Sequence, residues 1–296
     1  MSVSAVFLSR LINYQSSLSS PQAQWARPSP NASPPPVSQS SPHSPTATLS
    51  DIARRARWVL SILPPSDALG FAQEFRSVYT DLPDGERERA GSGKIAFVEC
   101  NAVNLETAKK IGAVFQGTPI TFVDAAIIGF PPRPQDGYDP KLYASVDPKD
   151  DDTLKQFEEL GRYGLKVCPL RGEGVGVGDA SALKMSYGGI VKGVIGLYAT
   201  MILAAHTSSP ATATALTHEL ASSQPFFLKH ITSSIPDMLP KAYRFVGEME
   251  EISRFVGGEE RLIHEGMARL YERVSGSVEE GGEDVAVLAG FAEEAR

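Results

Sequence analysis

The stretch from Gly172 to Gly196, GEGVGVGDASALKMSYGGIVKGVIG, decides the fold expected for this chain. Glycines alternate with other residues between 172 and 178, a spacing typical of a tight, exposed backbone. Asp179 and Ser181 can then cap a helix, and from Ala180 to about His206 the residues are apolar on nearly every side. Because a helix that is apolar all round is a buried one, this stretch predicts a long core helix.

Two lysines interrupt the predicted helix. Lys184 and Lys192 would place charge inside the protein, and a buried ammonium group needs a structural or functional reason. Together with Tyr187 and Gly188 they predict one polar seam with room for a ligand. The alternative is that the lysine side chains run along the seam and reach solvent.

Composition and charge exclude several classes of function. The chain has 296 residues, 42% of them hydrophobic and 21% charged, which suits a globular protein of two domains. Its net charge of −7 argues against a nucleic-acid partner. Cys100 and Cys168 form no metal-ligand or CxxC spacing, which favours a reducing, cytoplasmic location. The longest apolar run, Gly193 to Ala205, is too short for a membrane span, so no membrane association is expected.

Three regions follow from the distribution of residue types. Residues 1–50 are rich in Ser and Pro and contain no acidic residue, which predicts a disordered leader. An alternative is a mitochondrial presequence with a short amphipathic helix over residues 3–14. Residues 51–170 alternate predicted strands and helices, which indicates a parallel sheet with helices on its faces. Residues 171–296 are predicted to be helical, so the class is α/β followed by all-α.

The glycine-rich entry and the ASALK sequence that opens the long helix resemble the interdomain helix of the β-hydroxyacid dehydrogenase superfamily. This superfamily includes the 6-phosphogluconate and 3-hydroxyisobutyrate dehydrogenases. The similarity is greatest to the branch described as 6-phosphogluconate dehydrogenase C-terminal domain-like, and it covers residues 51–275. SQPFFLKHI at 223–231 and PKAYRFVGEMEEI at 240–252 resemble segments of that branch. The resemblance implies a partial doubly wound (Rossmann-like) sheet, then a helical substrate-binding and dimerisation domain.

The resemblance also implies an active site that uses NAD or NADP. Lys184 would assist proton transfer while hydride passes to the nicotinamide, and desolvation would bring the pKa of a lysine toward the working range of an acid or base. SILPPSDAL at 61–69 would place Leu63 and Pro64 against the cofactor. FVECNAVNLETAKKI would place Asn101 beside the nicotinamide.

The substrate side of the implied site departs from the family pattern. In FVDAAIIGFPP at 122–132, Ile128 stands where relatives have a serine for the substrate carboxylate, and Phe130 stands where they have a second glycine. A hydroxy acid that is bulkier or less polar at this corner is therefore expected. Gly188 replaces an asparagine of many relatives, so Tyr187 or Lys192 would have to supply its contact. The candidate substrate-binding residues are Ile128, Gly129, Ser181, Tyr187, Lys192, Lys241 and Arg244.

One motif of the family is missing from this sequence. Dinucleotide domains open with a strand, a GxGxxG turn and a helix, and no such turn precedes Trp58. GSGK at 91–94 lacks the leading glycine and the hydroxyl residue of a phosphate loop. Two hypotheses follow: an NAD(P)-dependent hydroxyacid dehydrogenase impaired in cofactor binding, or a non-catalytic ligand-binding or dimerisation protein derived from that family. In either case we expect a homodimer, formed through residues after Ala180.

Overall fold

The computed structural model describes residues 5–8, 48–83, 85, 95–130 and 132–296. In this part of the chain six strands form one sheet, in the spatial order β1-β2-β3-β4-β5-β6. The strands are β1 (Ala5–Leu8), β2 (Trp58–Ser61), β3 (Ala96–Glu99), β4 (Thr121–Ile128), β5 (Lys141–Ser145) and β6 (Lys166–Pro169). The helices of the sheet region are α1 (Leu49–Arg55), α2 (Ala68–Thr80), α3 (Leu105–Val114) and α4 (Asp151–Glu158).

The sheet is mixed rather than wholly parallel. Strands β1 to β4 are parallel to one another, β4 and β5 are antiparallel, and β5 and β6 are parallel. The prediction of a parallel sheet is therefore wrong for β5. Among its described residues, the connection from β4 to β5 contains a short 3-10 turn and no α-helix that could carry the chain back across the sheet, so the chain turns and pairs antiparallel.

The N-terminal region contributes a strand. Ala5–Leu8 pairs in parallel with Trp58–Ser61, so the expectation of a leader without structure is wrong for this segment. It is also wrong at the other end of the leader, where Thr48 caps α1 through a capping box with Asp51. Because β1 pairs along its outer side, β2 is not an edge strand of the sheet. Residues 1–4 and 9–47, and with them most of the predicted presequence helix, lie outside the described residues.

Alternation along the strands builds a core on each face of the sheet. Val59, Phe97 and Phe122 point to one face, where they pack with side chains of α1, α2 and α3. Trp58 and Val98 belong to the opposite face, where α4 supplies Leu154 and Phe157. Helices on both faces are the arrangement of a doubly wound sheet.

The remaining chain is helical. The helices are α5 (Asp179–Ser208), α6 (Pro210–Ser223), α7 (Pro225–Met238), α8 (Ala242–Val256), α9 (Arg261–Glu280) and α10 (Glu283–Glu294). The last helix, α10, buries Leu288, Phe291 and Ala292. The chain divides into two compact units, Met1–Lys184 and Met185–Arg296. This division lies inside α5, whereas the sequence placed it between residues 170 and 171.

Helix α5 is less buried than its composition predicts. Ile190 is 69% exposed and Met201 is 53% exposed, because only one side of the helix packs within the second unit. On that side Gly189 and Gly196 allow close approach of His264 and Met267 of α9. By length and composition alone, α5 is also long and apolar enough to cross a membrane, and 28% of its apolar 18-residue segment is buried. The sequence-based exclusion considered only the uninterrupted apolar run, and the helix extends beyond it at both ends.

Candidate functional site in the first unit and candidate residues in the second

The carboxyl ends of β2 and β3 are joined by the side chain of Asn101. Its Oδ1 accepts a hydrogen bond from the backbone N–H of Leu63, and its Nδ2 donates to Ser61 Oγ at 2.9 Å. The predicted cofactor-binding residues Leu63 and Asn101 are thus brought together, and both are buried, while Pro64 is exposed. The amide of Asn101 has a structural role that the sequence did not indicate, because it fixes the ends of two strands to each other.

Lys184 reaches the same turn. Its Nζ donates to the carbonyl oxygen of Asn101 at 3.2 Å and to that of Cys100 at 3.4 Å. The side chain is half-buried, so the ammonium group is held by main-chain dipoles at the end of β3 rather than extended into solvent. In open α/β sheets, ligands bind outside the carboxyl ends of the strands. Lys184 therefore lies at the edge of the sheet where a bound ligand would contact it.

The start of α5 is anchored by a buried carboxylate, Asp124 of β4. Asp124 accepts hydrogen bonds from Ser181 Oγ at 2.6 Å, from the Ser181 N–H at 3.0 Å and from Ser145 Oγ at 3.1 Å. Ser145 Oγ in turn accepts from the N–H of Ala180. An anion at a helix N-terminus is stabilised by the free N–H groups and by the helix dipole. Ser181, predicted to bind substrate, is fully buried and donates a hydrogen bond to Asp124.

Asp124 and Ser145 belong to a line of four polar residues that crosses the sheet, which we call the polar row. Ser61 of β2 pairs in register with Glu99 of β3, Glu99 with Asp124, and Asp124 with Ser145. All four have 0% relative exposure. The four residues lie on the same face of the sheet as Val59, Phe97 and Phe122. The polar row therefore borders the apolar core of that face at the carboxyl ends of the parallel strands.

Glu99 is the least satisfied member of the polar row. Its Oε1 accepts from the backbone N–H of Asn101 at 2.8 Å. Its Oε2 is buried and has no hydrogen-bond partner among the described residues. Burial, with a smaller contribution from the neighbouring Asp124, raises the pKa of Glu99 to about 8 against the opposing effects of the Asn101 hydrogen bonds and of Lys184. Burial also raises the pKa of Asp124, but the hydrogen bonds from Ser181, Ser145 and Gly178 oppose that shift.

The predicted substrate-binding residues at the end of β4 lie in a turn that is held by side-chain contacts. Gly129 has a φ of 125°, and a Cβ atom there would collide with Tyr138 Oη. Tyr138 Oη accepts a hydrogen bond from the Phe130 N–H at 3.1 Å, and the Arg133 guanidinium stacks 4.8 Å from the Tyr138 ring centroid. Phe130 itself is 61% exposed. Ile128 and Gly129 therefore belong to a turn that presents the aromatic side chain of Phe130 to solvent.

The second unit holds Lys192 in an aromatic and acidic setting. Lys192 forms an ion pair with Glu248 of α8, and its Nζ lies 4.7 Å from the Phe245 ring centroid. The carbonyl oxygen of Lys192 accepts a hydrogen bond from Tyr271 Oη at 2.5 Å. Burial raises the pKa of that tyrosine. The partners of Lys192 thus come from α8 and α9, whereas those of Lys184 come from the end of β3.

Three further predicted substrate residues lie in the second unit. Tyr187 is 46% exposed on α5. Lys241 ends a short 3-10 turn and Arg244 lies in the first turn of α8, both half-buried. Among the described residues, Arg244 has no ion-pair partner. No group of three or more His, Cys, Asp or Glu side chains in the described part is placed to hold a metal ion.

The fold, a doubly wound sheet followed by a helical domain, is that of the hydroxyacid dehydrogenases. The conserved protein MTH1747 of unknown function, reported as structurally similar to 3-hydroxyacid dehydrogenases, is 23% identical over 80% of this chain and 81% of its own, with a TM-score of 0.55. The 3-hydroxyisobutyrate dehydrogenase of Mycobacterium tuberculosis, solved with L-serine, is 12% identical over 81% of each chain, with a TM-score of 0.53. Psf3, solved with NADP+ and 2-OPP, is 13% identical over 82% of this chain and 83% of its own, with a TM-score of 0.50.

At the level of sequence families, residues 208–274 match a domain of unknown function, DUF1932. No curated protein matches the chain. The resemblance to the β-hydroxyacid dehydrogenase superfamily is thus confirmed for the fold, including the order of a sheet domain and a helical domain.

Sequence reasoning missed Glu99, Asp124 and Ser145. A signal was present, because Glu99 and Asp124 are the acidic residues that interrupt two otherwise apolar predicted strands. A charged residue inside a buried strand needs a partner, and this could have directed attention to the ends of β3 and β4.

Proposed function

We propose that this chain is an NAD(P)-dependent oxidoreductase of the hydroxyacid dehydrogenase type, weak in dinucleotide binding, with Lys184 as its acid/base. The observation that supports it is the contact of Lys184 Nζ with the Cys100 and Asn101 carbonyl oxygens at the end of β3. The deprotonated form of Lys184, in equilibrium with the resting ammonium form, would accept the proton of a substrate hydroxyl, and the two carbonyl oxygens would stabilise the ammonium group that results. The substrate is a hydroxy acid whose substituent contacts Phe130.

The residues around the sheet do not fit the pyrophosphate of a dinucleotide. In this fold, pyrophosphate is bound by backbone N–H groups of a glycine-rich turn after the first strand. Here the strand beside β2 is β1, and no glycine occurs in the sequence before Gly70. The amide of Asn101 is also engaged with Leu63 and Ser61. No step of the reaction is therefore assigned to a bound cofactor.

The Lys184 assignment is tested with a panel of hydroxy acids and millimolar NAD+ or NADP+, following reduction of the nicotinamide. We expect Lys184→Ala to lower the rate by about 10²–10⁴, the usual contribution of a positioned acid or base. Lys109→Ala is the matched control, because Lys109 is an exposed lysine on α3 whose ion-pair partner among the described residues is Glu106 in the preceding turn of that helix. A loss below about tenfold for Lys184→Ala would contradict the catalytic role.

Cofactor affinity is the second test. We expect the purified chain to bind NADH and NADPH several powers of ten more weakly than a dinucleotide domain with a GxGxxG turn, because this sequence has no such turn after β1 to supply several charge-assisted hydrogen bonds of about 1.5–3 kcal/mol each. Calorimetric titration measures the dissociation constants. A value in the low micromolar range for either cofactor would contradict the expectation, and would mean that the pyrophosphate is held by groups other than a glycine-rich turn.

A non-catalytic role in ligand binding or dimerisation is the second candidate. The observation that favours it is the same absence of glycine before Gly70. It predicts no cofactor-dependent rate with any hydroxy acid, and an equal lack of rate for the Lys184→Ala and Lys109→Ala variants. The two candidates are thus separated by one set of measurements.

A further inference from the structure

Two acids lie side by side in the polar row, and their surroundings differ sharply. Glu99 and Asp124 are register partners on adjacent parallel strands and are both fully buried. Asp124 receives two hydroxyl donors and the Ser181 N–H at the start of α5. Glu99 receives one N–H and leaves Oε2 without a partner among the described residues. When two neighbouring acids have environments this different, one proton suffices for the pair and the less solvated acid holds it.

Charge balance gives the same distribution of protons. The charged groups that act on Glu99 are Asp124 of β4 and Lys184 of α5. With Asp124 ionised, Lys184 charged and Glu99 protonated, the buried group is electrically neutral. Ionising Glu99 would add a second buried negative charge beside the first, which is costly without a compensating donor.

Glu99 is also linked to Lys184 through the backbone. The carboxyl of Glu99 holds the N–H of Asn101, and the carbonyl oxygens of Cys100 and Asn101 hold the Lys184 ammonium. The turn from residue 99 to residue 101 therefore has the acid on one side and the lysine on the other. A change in the charge of Glu99 acts on Lys184 both electrostatically and through this turn.

We propose that Glu99 is a positioning residue for Lys184: it holds the single proton of the acid pair, and in that state it keeps the turn at Asn101 shaped to receive the lysine. The importance of Glu99 for catalysis rests on the proposed function. The inference that Glu99 is protonated and Asp124 is ionised does not rest on it. The inference gives the site an internal pH limit, since the neutral arrangement is lost when Glu99 ionises near pH 8.

The test follows Lys184 by NMR in full-length protein labelled with ¹³C-lysine, with the Lys184 Cε signal assigned from Lys184→Arg. We expect the wild-type signal to move in two steps, one near pH 8 as Glu99 ionises and one as the lysine itself titrates. Glu99→Gln cannot ionise, yet its side-chain oxygen can still accept from the Asn101 N–H, so this variant should lose the first step only. Lys109 in the same spectra should show no step near pH 8 in either protein.

Identical titration curves for Lys184 in wild type and Glu99→Gln would overturn the proposal. So would a first step that persists in Glu99→Gln, which would assign that proton to another group. Neither readout needs cofactor or turnover, so a failure of the proposed enzymatic function leaves this result standing. If Glu99→Gln does not fold, Glu99→Asp provides the second measurement, because the shorter acid should move the first step to a different pH and a bystander would leave it in place.

Discussion

At the scale of single residues, buried polar side chains of the first unit form hydrogen bonds with backbone groups near the ends of the strands. Asn101 supplies both an acceptor for Leu63 and a donor for Ser61. Asp124 supplies an acceptor for the backbone N–H of Ser181 in the first turn of α5. Each is buried, so removing either would leave unsatisfied polar atoms, at a cost of about 1–3 kcal/mol for each atom. These residues determine where Lys184 can reach.

The raised pKa of Glu99 makes a prediction about stability. Its folded-state pKa of about 8 lies above the ordinary value of 4.5, so the folded protein binds this proton more tightly than the unfolded chain does. The stabilising contribution is complete below about pH 4.5, decreases as the pH rises, and is lost above about pH 8. We expect wild type to lose on the order of 2–4 kcal/mol relative to Glu99→Gln across this range. Urea denaturation at pH 5, 7 and 9 measures the difference, and parallel curves for the two proteins would contradict it.

At the scale of elements, the glycine-rich segment before α5 serves packing as well as turning. Gly178 has a φ of 104°, and a Cβ atom there would collide with Leu105 at the start of α3. The backbone of Gly178 also contributes to holding Asp124. Gly176, two residues earlier, has open space around it and its N–H donates to Asp179 Oδ2. Of these two glycines, Gly178 is the one that the packing of α5 requires.

Gly178→Ala is therefore expected to destabilise the protein by about 1–3 kcal/mol, from backbone strain and the clash with Leu105. Gly176→Ala is the matched control and should change stability by less than about 0.5 kcal/mol. Midpoints of urea unfolding provide the comparison. Equal midpoints for the two variants would show that the start of α5 does not require a glycine at position 178.

At the scale of the whole molecule, α5 presents a regular apolar stripe. The stripe repeats at alternating intervals of three and four residues, the spacing of a helix that packs along another helix. Its members are Tyr187, Ile190, Val194, Leu197, Met201 and Ala204. Tyr187, Ile190, Leu197 and Met201 are 46–69% exposed, which is unusual for large apolar side chains grouped on one face. A surface of this kind is expected to be covered.

We propose that a second copy of the chain covers the stripe, forming the homodimer expected from the sequence. A two-fold dimer uses the same surface on both copies, and it is the commonest oligomer of soluble proteins. Leu197→Glu with Met201→Glu should convert the dimer to monomer in sedimentation velocity at micromolar concentration. Leu262→Glu, at a residue 49% exposed on α9, is the control and should leave the dimer intact. A wild-type protein that is monomeric without detergent would contradict the proposal. A wild-type protein that aggregates without detergent and becomes monomeric in detergent would also contradict it, and would indicate that lipid covers the stripe.

The sequence by itself determined the class of fold, the extent of α5 and the position of Lys184 near its start. These depend on local signals, namely apolar periodicity, glycine spacing and the lengths of apolar runs, which act over a few neighbouring residues. Only the tertiary structure decided the antiparallel placement of β5, the strand formed by Ala5–Leu8 and the polar row from Ser61 to Ser145. In the polar row each member lies at least 21 residues from the next in the chain, so their contact depends on strand register. Register is set by the packing of the whole sheet, and no local pattern in the sequence reports it.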